Sequence, residues 1–336
     1  MSTLVTGGAG FIGSHTCVEL LQRGHEVIIL DNYSNSSPLV PGAIRQVSGQ
    51  DVSVYEGDVR DTQLLDQIFS THQVDAVIHF AAKKSVRESG DMPLEYYGNN
   101  VGATISLLEA MLRHDVHKMV FSGSCSIYGG QYDEPISEDW APGPTNPYAS
   151  TKLICEQIIK DAWRRWPKLS VVSLRYFNPI CAHASGLLGE DPKGIPSNVL
   201  PYMLQVAVGR LPRLQVYGGD WETHDGSGVR DYIHVMDLAE AHCLAMEHLG
   251  EEVGLRAFNL GAGEGVSVLQ LIAMVEKVTG KAIPYEIVER KFGDVAILIA
   301  DPSRVEKVWA WRTSRDLETM CTDAWRFQSR YPNGYG

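Results

Sequence analysis

The stretch Thr6-Gly7-Gly8-Ala9-Gly10-Phe11-Ile12-Gly13 decides the fold, because it joins a short apolar run to an amphipathic stretch. Gly7 can form the tight turn, Gly10 lets a backbone approach a pyrophosphate, and Gly13 lets a helix pack closely on a strand. The amino end of that helix supplies free N–H groups and a positive dipole. Asp31 ends the second apolar run 18 residues after Gly13, where its carboxylate can bind an adenine-ribose diol and repels a 2′-phosphate. These features predict a dinucleotide site that takes NAD rather than NADP.

The first half of the chain alternates short apolar runs with amphipathic stretches, the pattern of parallel strands joined by helical crossovers. Several runs are almost wholly apolar, as expected of strands that are covered on both faces. The pattern predicts an α/β fold with a doubly wound parallel (Rossmann) sheet. The predicted strands are 3–6, 27–30, 52–55, 76–80, 118–122 and 171–175, and the predicted helices are 13–23, 62–71, 104–114 and 148–166.

A length of 336 residues suits about two lobes. The composition of the chain changes after Tyr176, because the stretch 178–201 is rich in proline and glycine. We therefore expect an NAD-binding domain over 1–177 and a smaller, mainly nucleotide-sugar-binding lobe over 178–336, with the chain returning to the first domain around 230–265. Within that second half, 258–261 resembles a returning strand, and Ser267-x-x-Gln270 predicts a capping box that opens a helix to about residue 279.

Composition narrows the classes of function. The formal charge is −12, from 29 basic and 41 acidic residues, which argues against binding to nucleic acid or to an anionic membrane surface. No apolar run approaches the roughly 18 residues of a membrane span. The first residues do not resemble a signal peptide, and the six cysteines are scattered without a Cys-x-x-Cys pair, so we expect a cytoplasmic protein with reduced thiols. The histidines around 114–117 lack a third ligand at metal spacing, so no metal site is expected.

Tyr148 and Lys152 stand four residues apart, so that a phenol and an ammonium share one helical face. A phenol with a pKa near ~10 is a poor base at neutral pH, but a nearby lysine and the positive nicotinamide would favour the phenolate. Ser124 follows the fifth predicted strand, at the sheet edge where a hydroxyl can hold a substrate oxygen. Asn146-Pro147 marks a turn into the helix of Tyr148. Such a pair is also common on surface helices, so the spacing alone leaves a purely structural role open.

In this order, these motifs make the chain similar to the extended short-chain dehydrogenase/reductase superfamily. Further strings resemble the UDP-glucose (UDP-galactose) 4-epimerase family in particular, and the resemblance covers roughly residues 2–335. The strings are residues 6–16, 94–97, 189–192 and 194–196, with Arg175-Tyr176-Phe177-Asn178-Pro179 and Gly228-Val229-Arg230-Asp231-Tyr232-Ile233-His234-Val235.

The resemblance implies an isomerase that inverts the C4 hydroxyl of a UDP-hexose. It makes Tyr148 the base for the 4-hydroxyl proton while hydride passes from C4 to bound NAD, and the 4-keto sugar then takes the hydride back on its other face. Lys152 would order the ribose and tune Tyr148, and Ser124 would hold the reacting oxygen. Because NAD is regenerated in each turnover, it should stay bound. The family also implies a homodimer formed through the helices at 104–114 and 148–166, although burial of those helices within one subunit is an equal alternative.

The same resemblance assigns the remaining contacts. Those with NAD fall on Gly7, Gly10, Phe11, Ile12, Gly13, Asp31, Asn32, Asn35, Ser36, Asp58, Val59, Phe80, Ala81, Ala82, Lys84, Asn99, Ser122, Tyr148, Lys152 and Tyr176. Those with the UDP-sugar fall on Ser124, Asn178, Asn198, Leu200, Tyr217, Arg230, Asp294 and Leu298. Leu298 would wall the sugar pocket, and because leucine is shorter than the tyrosine that excludes N-acetylated sugars in this family, UDP-GlcNAc and UDP-GalNAc are expected as further substrates.

The chain also departs from the family pattern. Lys291 replaces an arginine of many relatives, Lys83 and Arg87 replace a leucine and a glycine, and Cys181 replaces a glycine. Two other functions are weighed against epimerisation. A nucleotide-sugar 4,6-dehydratase or decarboxylase would need an acidic group in the stretch 124–129, which reads Ser-Cys-Ser-Ile-Tyr-Gly. An NAD-sensing regulatory protein would have no use for the Tyr148/Lys152 pair.

Overall fold

The computed structural model describes residues 1–130, 135–290 and 294–335. Its strands are β1 (Ser2–Thr6), β2 (Glu26–Asp31), β3 (Ser53–Glu56), β4 (Ala76–His79), β5 (Lys118–Ser122), β6 (Ser170–Tyr176), β7 (Asn178–Ile180), β8 (Leu214–Tyr217), β9 (Val229–Arg230), β10 (Tyr232–His234), β11 (Gly254–Leu260), β12 (Val266–Ser267), β13 (Tyr285–Val288) and β14 (Ile297–Leu298).

The helices connect many of these strands or follow the last one. They are α1 (Phe11–Gln22), α2 (Val40–Ser48), α3 (Thr62–Thr71), α4 (Val86–Asp91), α5 (Pro93–Tyr96), α6 (Gly102–Arg113), α7 (Pro147–Arg165), α8 (Val199–Ala207), α9 (Val235–Glu247), α10 (Val268–Thr279), α11 (Ser303–Trp309) and α12 (Leu317–Arg330), with a π-helical turn at Tyr97–Val101 and a 3₁₀ turn at Cys125–Tyr128.

A seven-stranded sheet in the order β11-β6-β5-β4-β1-β2-β3 forms the centre of the fold. Strands β1 to β6 pair in parallel, and the strand order changes direction at β1, which lies between β2 and β4. In such sheets, ligands bind outside the carboxyl ends of the strands at this switch point. The predicted doubly wound α/β fold is confirmed.

The chain divides into two compact units. Unit 1 comprises 1–127, 142–175 and 239–258, and unit 2 comprises the described parts of 128–141, 176–238 and 259–336. Unit 2 holds three small sheets, in which β7 pairs with β10, β8 with β13, and β9 with both β12 and β14.

The core of unit 1 forms because its strands are apolar on both faces. Leu4, Ile28, Val77 and Met119 are fully buried and cluster with apolar side chains of α3, α6 and α7. Burial of each such side chain stabilises the fold by about 1.5–3 kcal/mol. Asp61 fixes the start of α3, where its carboxylate accepts hydrogen bonds from two backbone N–H groups.

The core of unit 2 is built mainly from α8, α10 and α12. The predicted capping box is present: the Ser267 hydroxyl accepts from Gln270 N, and the Gln270 side chain accepts from Ser267 N. Helix α10 ends at Thr279, followed by Gly280 with a φ of 64°. Among the described residues, no helix is both long and apolar enough to span a membrane.

Candidate active site

The glycine turn after β1 is shaped by close backbone contacts. Gly7 has a φ of 72°, and a Cβ added there would lie 2.8 Å from the backbone nitrogen of Ala81. A Cβ at Gly13 would lie 2.3 Å from the carbonyl oxygen of Gly7. Both positions therefore exclude a side chain, as predicted for a turn that lies close to a neighbouring strand and helix.

Helix α1 begins directly after Gly10, which has no side chain to cap the first turn. The N–H groups of that turn are therefore open to a ligand, next to the positive end of a 12-residue helix. A pyrophosphate fits this surface, because its oxygens can accept from backbone donors that a Cβ would otherwise cover.

The Asp31 carboxylate is buried and rigidly held at the end of β2. Its Oδ2 accepts from Ala9 N at 3.0 Å, and its Oδ1 accepts from Tyr33 N at 2.9 Å and from the Ser36 hydroxyl at 2.8 Å. These bonds connect the carboxylate to the glycine turn and fix its orientation. A ribose diol, which donates hydrogen bonds, suits this acceptor, whereas a 2′-phosphate does not.

Asp58 lies after β3 and is paired with Arg60, a residue that the sequence analysis missed. Two bonds of 2.9 and 2.7 Å join the guanidinium to both carboxylate oxygens. Hydrogen bonding from the Arg60 side chain is the largest cause that holds the pKa of Asp58 below its usual value. A side-chain hydrogen bond from Asn32 lowers this pKa further. The structure therefore brings Asn32 and Asp58 together, while the neighbouring Val59 is buried.

The loop after β4 lies against the glycine turn. Phe80 N and Ala81 N donate to Thr6 O at 3.0 and 3.1 Å, and Ala82 follows, partly buried. The other predicted cofactor residues of unit 1 differ in exposure: Asn35 and Lys84 are exposed, Ser36 and Ser122 are buried, and Asn99 lies in the π-helical turn with its side chain donating to Asn100. Tyr176, at the end of β6, is buried and belongs to unit 2.

The start of α7 positions the predicted catalytic side chains. The Asn146 side chain caps the helix by accepting from Ala149 N at 2.9 Å, and Pro147 occupies the first turn. Tyr148 and Lys152 follow on one face, one turn apart. The side chains of Tyr148 and Ser124 share a hydrogen bond, so the structure brings together a phenol and a hydroxyl that are 24 residues apart in sequence.

Lys152 is buried against the carboxyl end of β5. Its Nζ donates to the carbonyl oxygen of Ser122 at 2.7 Å and lies 5.2 Å from the centre of the Phe121 ring. Desolvation, partly offset by the nearby Cys155 and Glu156, lowers the pKa of Lys152 to about 8. The ammonium form therefore predominates at neutral pH.

Tyr148 differs from the sequence-based expectation. Burial of its phenol raises the pKa of Tyr148 to about 12, and the hydrogen bond with Ser124 offsets only part of that rise. The protein's own groups thus favour the neutral phenol. The predicted lowering also depends on the charge of the nicotinamide, and it stays a prediction.

His79 is a buried residue of this region that the sequence analysis missed. Its Nδ1 lies 2.7 Å from the Thr6 hydroxyl and its Nε2 lies 3.3 Å from the Thr104 hydroxyl. Burial, followed by the charge of Lys152, lowers the pKa of His79 to about 3, so the ring is neutral. The one sequence signal was a histidine within the otherwise apolar run at 76–80.

Two predicted UDP contacts in unit 2 present polar groups. Arg230 forms an ion pair with Asp294, and its Nη1 donates to Val229 O at 2.8 Å. The side-chain oxygen of Asn178 is buried and has no hydrogen-bond partner among the described residues. An unpaired buried acceptor costs free energy, so a ligand that donates to it would be favoured.

The other predicted UDP-sugar contacts in unit 2 differ in the exposure and bonding of their side chains. Leu298 is 9% exposed on β14 and pairs in register with Arg230. The Leu200 side chain lies in the core, so any contact with a nucleotide would come from its backbone. Asn198 donates to Glu190 at 2.6 Å, and the half-exposed Tyr217 donates to Gln215. Lys291, which replaces an arginine of the family, lies outside the described residues, as does Gly293.

Cys181, which has a φ of 98°, lies in a buried cluster with His234 and Asp323. The three possible ligand atoms are within 4.8 Å of one another. However, Nδ1 of His234 accepts from Met236 N at 3.0 Å, so the neutral ring carries its proton on Nε2, which lies 2.9 Å from Cys181 Sγ. A metal would need the lone pair of that Nε2. The arrangement therefore favours a hydrogen-bonded cluster over a metal centre.

Comparison with known proteins shows the family of this chain. The profile of the NAD dependent epimerase/dehydratase family matches residues 3–261. The chain is 50% identical to UDP-glucose 4-epimerase of Bacillus subtilis over 335 residues, covering 100% of this chain and 99% of that protein. It is 51% identical to UDP-glucose 4-epimerase of Neisseria gonorrhoeae, with both chains fully covered. The crystal structure of UDP-glucose 4-epimerase from Bifidobacterium longum in complex with NAD+ and UDP superposes with a TM-score of 0.97 at 48% identity and full coverage of both chains.

Proposed function

The chain belongs to the NAD dependent epimerase/dehydratase family and, within it, to the UDP-glucose 4-epimerases, and we propose that it interconverts UDP-galactose and UDP-glucose. The reaction inverts the hydroxyl at C4 of the hexose. The observation that carries this function is the hydrogen bond between Tyr148 and Ser124, with Lys152 one helical turn away, at the carboxyl edge of the sheet that also holds the glycine turn.

The residues of unit 1 fit NAD and form the NAD-binding domain. The glycine turn and the first turn of α1 would hold the pyrophosphate, Asp31 the adenine ribose, and Lys152 the nicotinamide ribose. When bound, NAD would supply the acceptor for the C4 hydride and, as NADH, the donor that returns it to the opposite face of the sugar.

Three side chains handle the proton of the 4-hydroxyl. As a phenolate, Tyr148 would take this proton when the C4–O bond becomes a carbonyl, and the resulting phenol would give it back when the alcohol is restored. The Ser124 hydroxyl bonds Tyr148, so it lies near the same sugar oxygen and can hold that oxygen when its proton turns from the phenol to the sugar. Because burial raises the pKa of Tyr148 to about 12, the phenolate form needs a neighbouring positive charge, and the Lys152 ammonium one helical turn away would supply part of it.

Unit 2 supplies the groups that suit a UDP-sugar. Arg230 is a fixed guanidinium that can donate in a planar fork to a diphosphate, and Asn178 offers an unpaired buried acceptor. We extend the substrate range to UDP-GlcNAc and UDP-GalNAc, because Leu298 leaves more room than a tyrosine would.

The rival functions have less support. A dehydratase or decarboxylase needs a proton donor or acceptor beyond C4, and the stretch 124–129 has no carboxyl group. An NAD-sensing protein without chemistry would not need a phenol bonded to a hydroxyl, with a buried ammonium one helical turn away. The full-length similarity to 4-epimerases favours the epimerase.

We also propose a homodimer and a cytoplasmic location. Apolar side chains on the dimer helices of the family remain exposed here, with Ile105 on α6 40% exposed and Ile154 on α7 37% exposed. Light scattering at several protein concentrations tests the dimer. The reducing cytoplasm suits six buried cysteines that form no disulfide in the described part of the chain.

The decisive assay is incubation of the purified protein with UDP-galactose without added NAD. We expect UDP-glucose to accumulate toward equilibrium, because the cofactor stays bound between turnovers. If protein that carries NAD forms no UDP-glucose, the proposed function is wrong. Parallel incubation with UDP-GalNAc measures the wider substrate range.

A further inference from the structure

The backbone of Lys83 is held from both sides by the amide of Asn100. Lys83 N donates to Asn100 Oδ1 at 2.8 Å, and Asn100 Nδ2 donates to Lys83 O at 3.0 Å. Asn100 is buried in the π-helical turn, and its Nδ2 also donates to Thr151 on α7 at 3.0 Å. The backbone at Lys83 is therefore fixed to two helical segments of unit 1.

The Lys83 side chain forms the centre of an ion-pair cluster. Its Nζ lies 2.6 Å from Glu95 on α5 and 3.4 Å from Glu88 on α4. The Tyr96 hydroxyl donates to the other oxygen of Glu88 at 2.7 Å, which links the two helices. We call Lys83, Glu88, Glu95 and Tyr96 the Lys83 cluster. It ties the loop after β4 to both short helices that follow it.

The first residues of that loop contact the end of β1 and the glycine turn that follows it. Phe80 N and Ala81 N bond to Thr6 O, and Ala81 N lies 2.8 Å from where a Cβ of Gly7 would be. Only Ala82 stands between these contacts and Lys83. A shift of Lys83 must therefore be absorbed by one residue or passed on to the backbone that faces the glycine turn.

We propose that Lys83 is a positioning residue of the cofactor site, which slows the release of NAD by holding the loop after β4 in place through the Lys83 cluster. This inference rests on the proposed function, because it assumes that NAD occupies the glycine turn. Lys83 itself is not required to touch the cofactor.

The exposure of the cluster makes this effect dependent on salt. The side chains of Lys83, Glu88 and Glu95 are 34%, 43% and 53% exposed, so dissolved ions reach and screen them. Exposed ion pairs contribute little singly, so removal of Lys83 should speed NAD release by about twofold to tenfold rather than abolish binding.

The test follows loss of NAD from the holoenzyme after dilution, by separating the protein and quantifying the released dinucleotide, in about 0.05 M and about 0.5 M NaCl. The variants are Lys83→Met, which keeps the length of the stem, Lys83→Arg, which keeps the charge, and Glu95→Gln. Lys277→Met is the matched control, because Lys277 forms an exposed ion pair of the same 2.6 Å length with Glu318 in unit 2.

We expect wild-type protein, Lys83→Arg and Lys277→Met to release NAD slowly in low salt and faster in high salt. Lys83→Met and Glu95→Gln should release NAD faster in low salt and respond less to added salt.

If Lys83→Met does not fold, the result for Glu95→Gln, which alters a half-exposed side chain, decides between the outcomes. Release from the folded variants at the wild-type rate in both salts overturns the inference but leaves the proposed function standing. A wild-type protein that binds no NAD overturns both.

Discussion

The Nζ atom of Lys152 donates a 2.7 Å hydrogen bond to the backbone oxygen of Ser122, the last residue of β5. This bond holds a buried cation against the carboxyl end of the strand, and Ser124 follows two residues later with its hydroxyl bonded to Tyr148. The backbone of one strand end therefore orients both the lysine and the serine that accompany the phenol.

Replacement of Tyr148 by phenylalanine removes the phenol oxygen and little volume. We expect Tyr148→Phe to lower turnover of UDP-galactose by roughly a hundredfold or more, the usual scale for loss of a general acid/base. UDP binding, measured by calorimetry, and the thermal unfolding temperature should change little. Turnover near the wild-type value would remove Tyr148 from the chemistry.

Replacement of Lys152 by methionine keeps a similar stem but removes the cation. Because the phenolate then loses a favourable charge, the pH–rate profile of Lys152→Met should rise at higher pH than that of the wild type. Lys160→Met is the control, since Lys160 lies on the exposed side of the same helix. An unshifted profile for Lys152→Met would show that this ammonium does not tune the base.

His79 should make the protein sensitive to acid. Burial lowers the pKa of His79 to about 3 in the folded protein, against 6.5 for a free histidine. Between these two pH values the ring is protonated in the unfolded chain but neutral in the folded chain. The stability present above pH 6.5 is therefore lost as the pH falls toward 3, by about 2 kcal/mol at pH 5.

Urea unfolding at neutral pH and at pH 5 measures this loss. His79→Gln, which retains hydrogen-bonding groups, should lose less stability between the two pH values by about 2 kcal/mol. The control His224→Gln, at a side chain that is 55% exposed, should behave like the wild type. Equal losses in His79→Gln and wild type would contradict the burial argument.

Leu298 is expected to set the sugar range. Leu298→Tyr should selectively lower activity on UDP-GalNAc while sparing UDP-galactose, because the fit of one small group is worth only about 1–3 kcal/mol. Competition assays with both sugars measure the ratio of kcat/KM values. If the unmodified protein turns over UDP-galactose but not UDP-GalNAc at high enzyme concentration, Leu298 does not determine whether N-acetylated sugars are accepted.

Much of the fold follows from local sequence patterns. The predicted limits of β5 and α3 agree with the structure, and the Ser267 capping box opens α10 as predicted, because each depends on neighbouring residues. Helix α9 was missed, since it follows β10 without a turn and its start is capped by the ring of His234, an unusual capping residue. Helix α8 was also missed, because the predicted loop-rich stretch 178–201 runs into its first turn, which contains Pro201.

The site was less predictable where it depends on distant contacts. Tyr148, Lys152 and Ser124 could be found from motif order, but the rise in the pKa of Tyr148 results from burial, which no local pattern encodes. The roles of His79 and Asn100 likewise depend on partners at least 17 residues away in sequence.

The most direct test of the central claim follows the hydrogen at C4. UDP-galactose labelled with deuterium at C4 is incubated with the holoenzyme in ordinary water, and the UDP-glucose formed is examined by mass spectrometry and NMR. If the hydrogen removed from C4 is held within the site and returned, the product retains the deuterium at C4. Loss of the label to solvent during turnover would contradict the account.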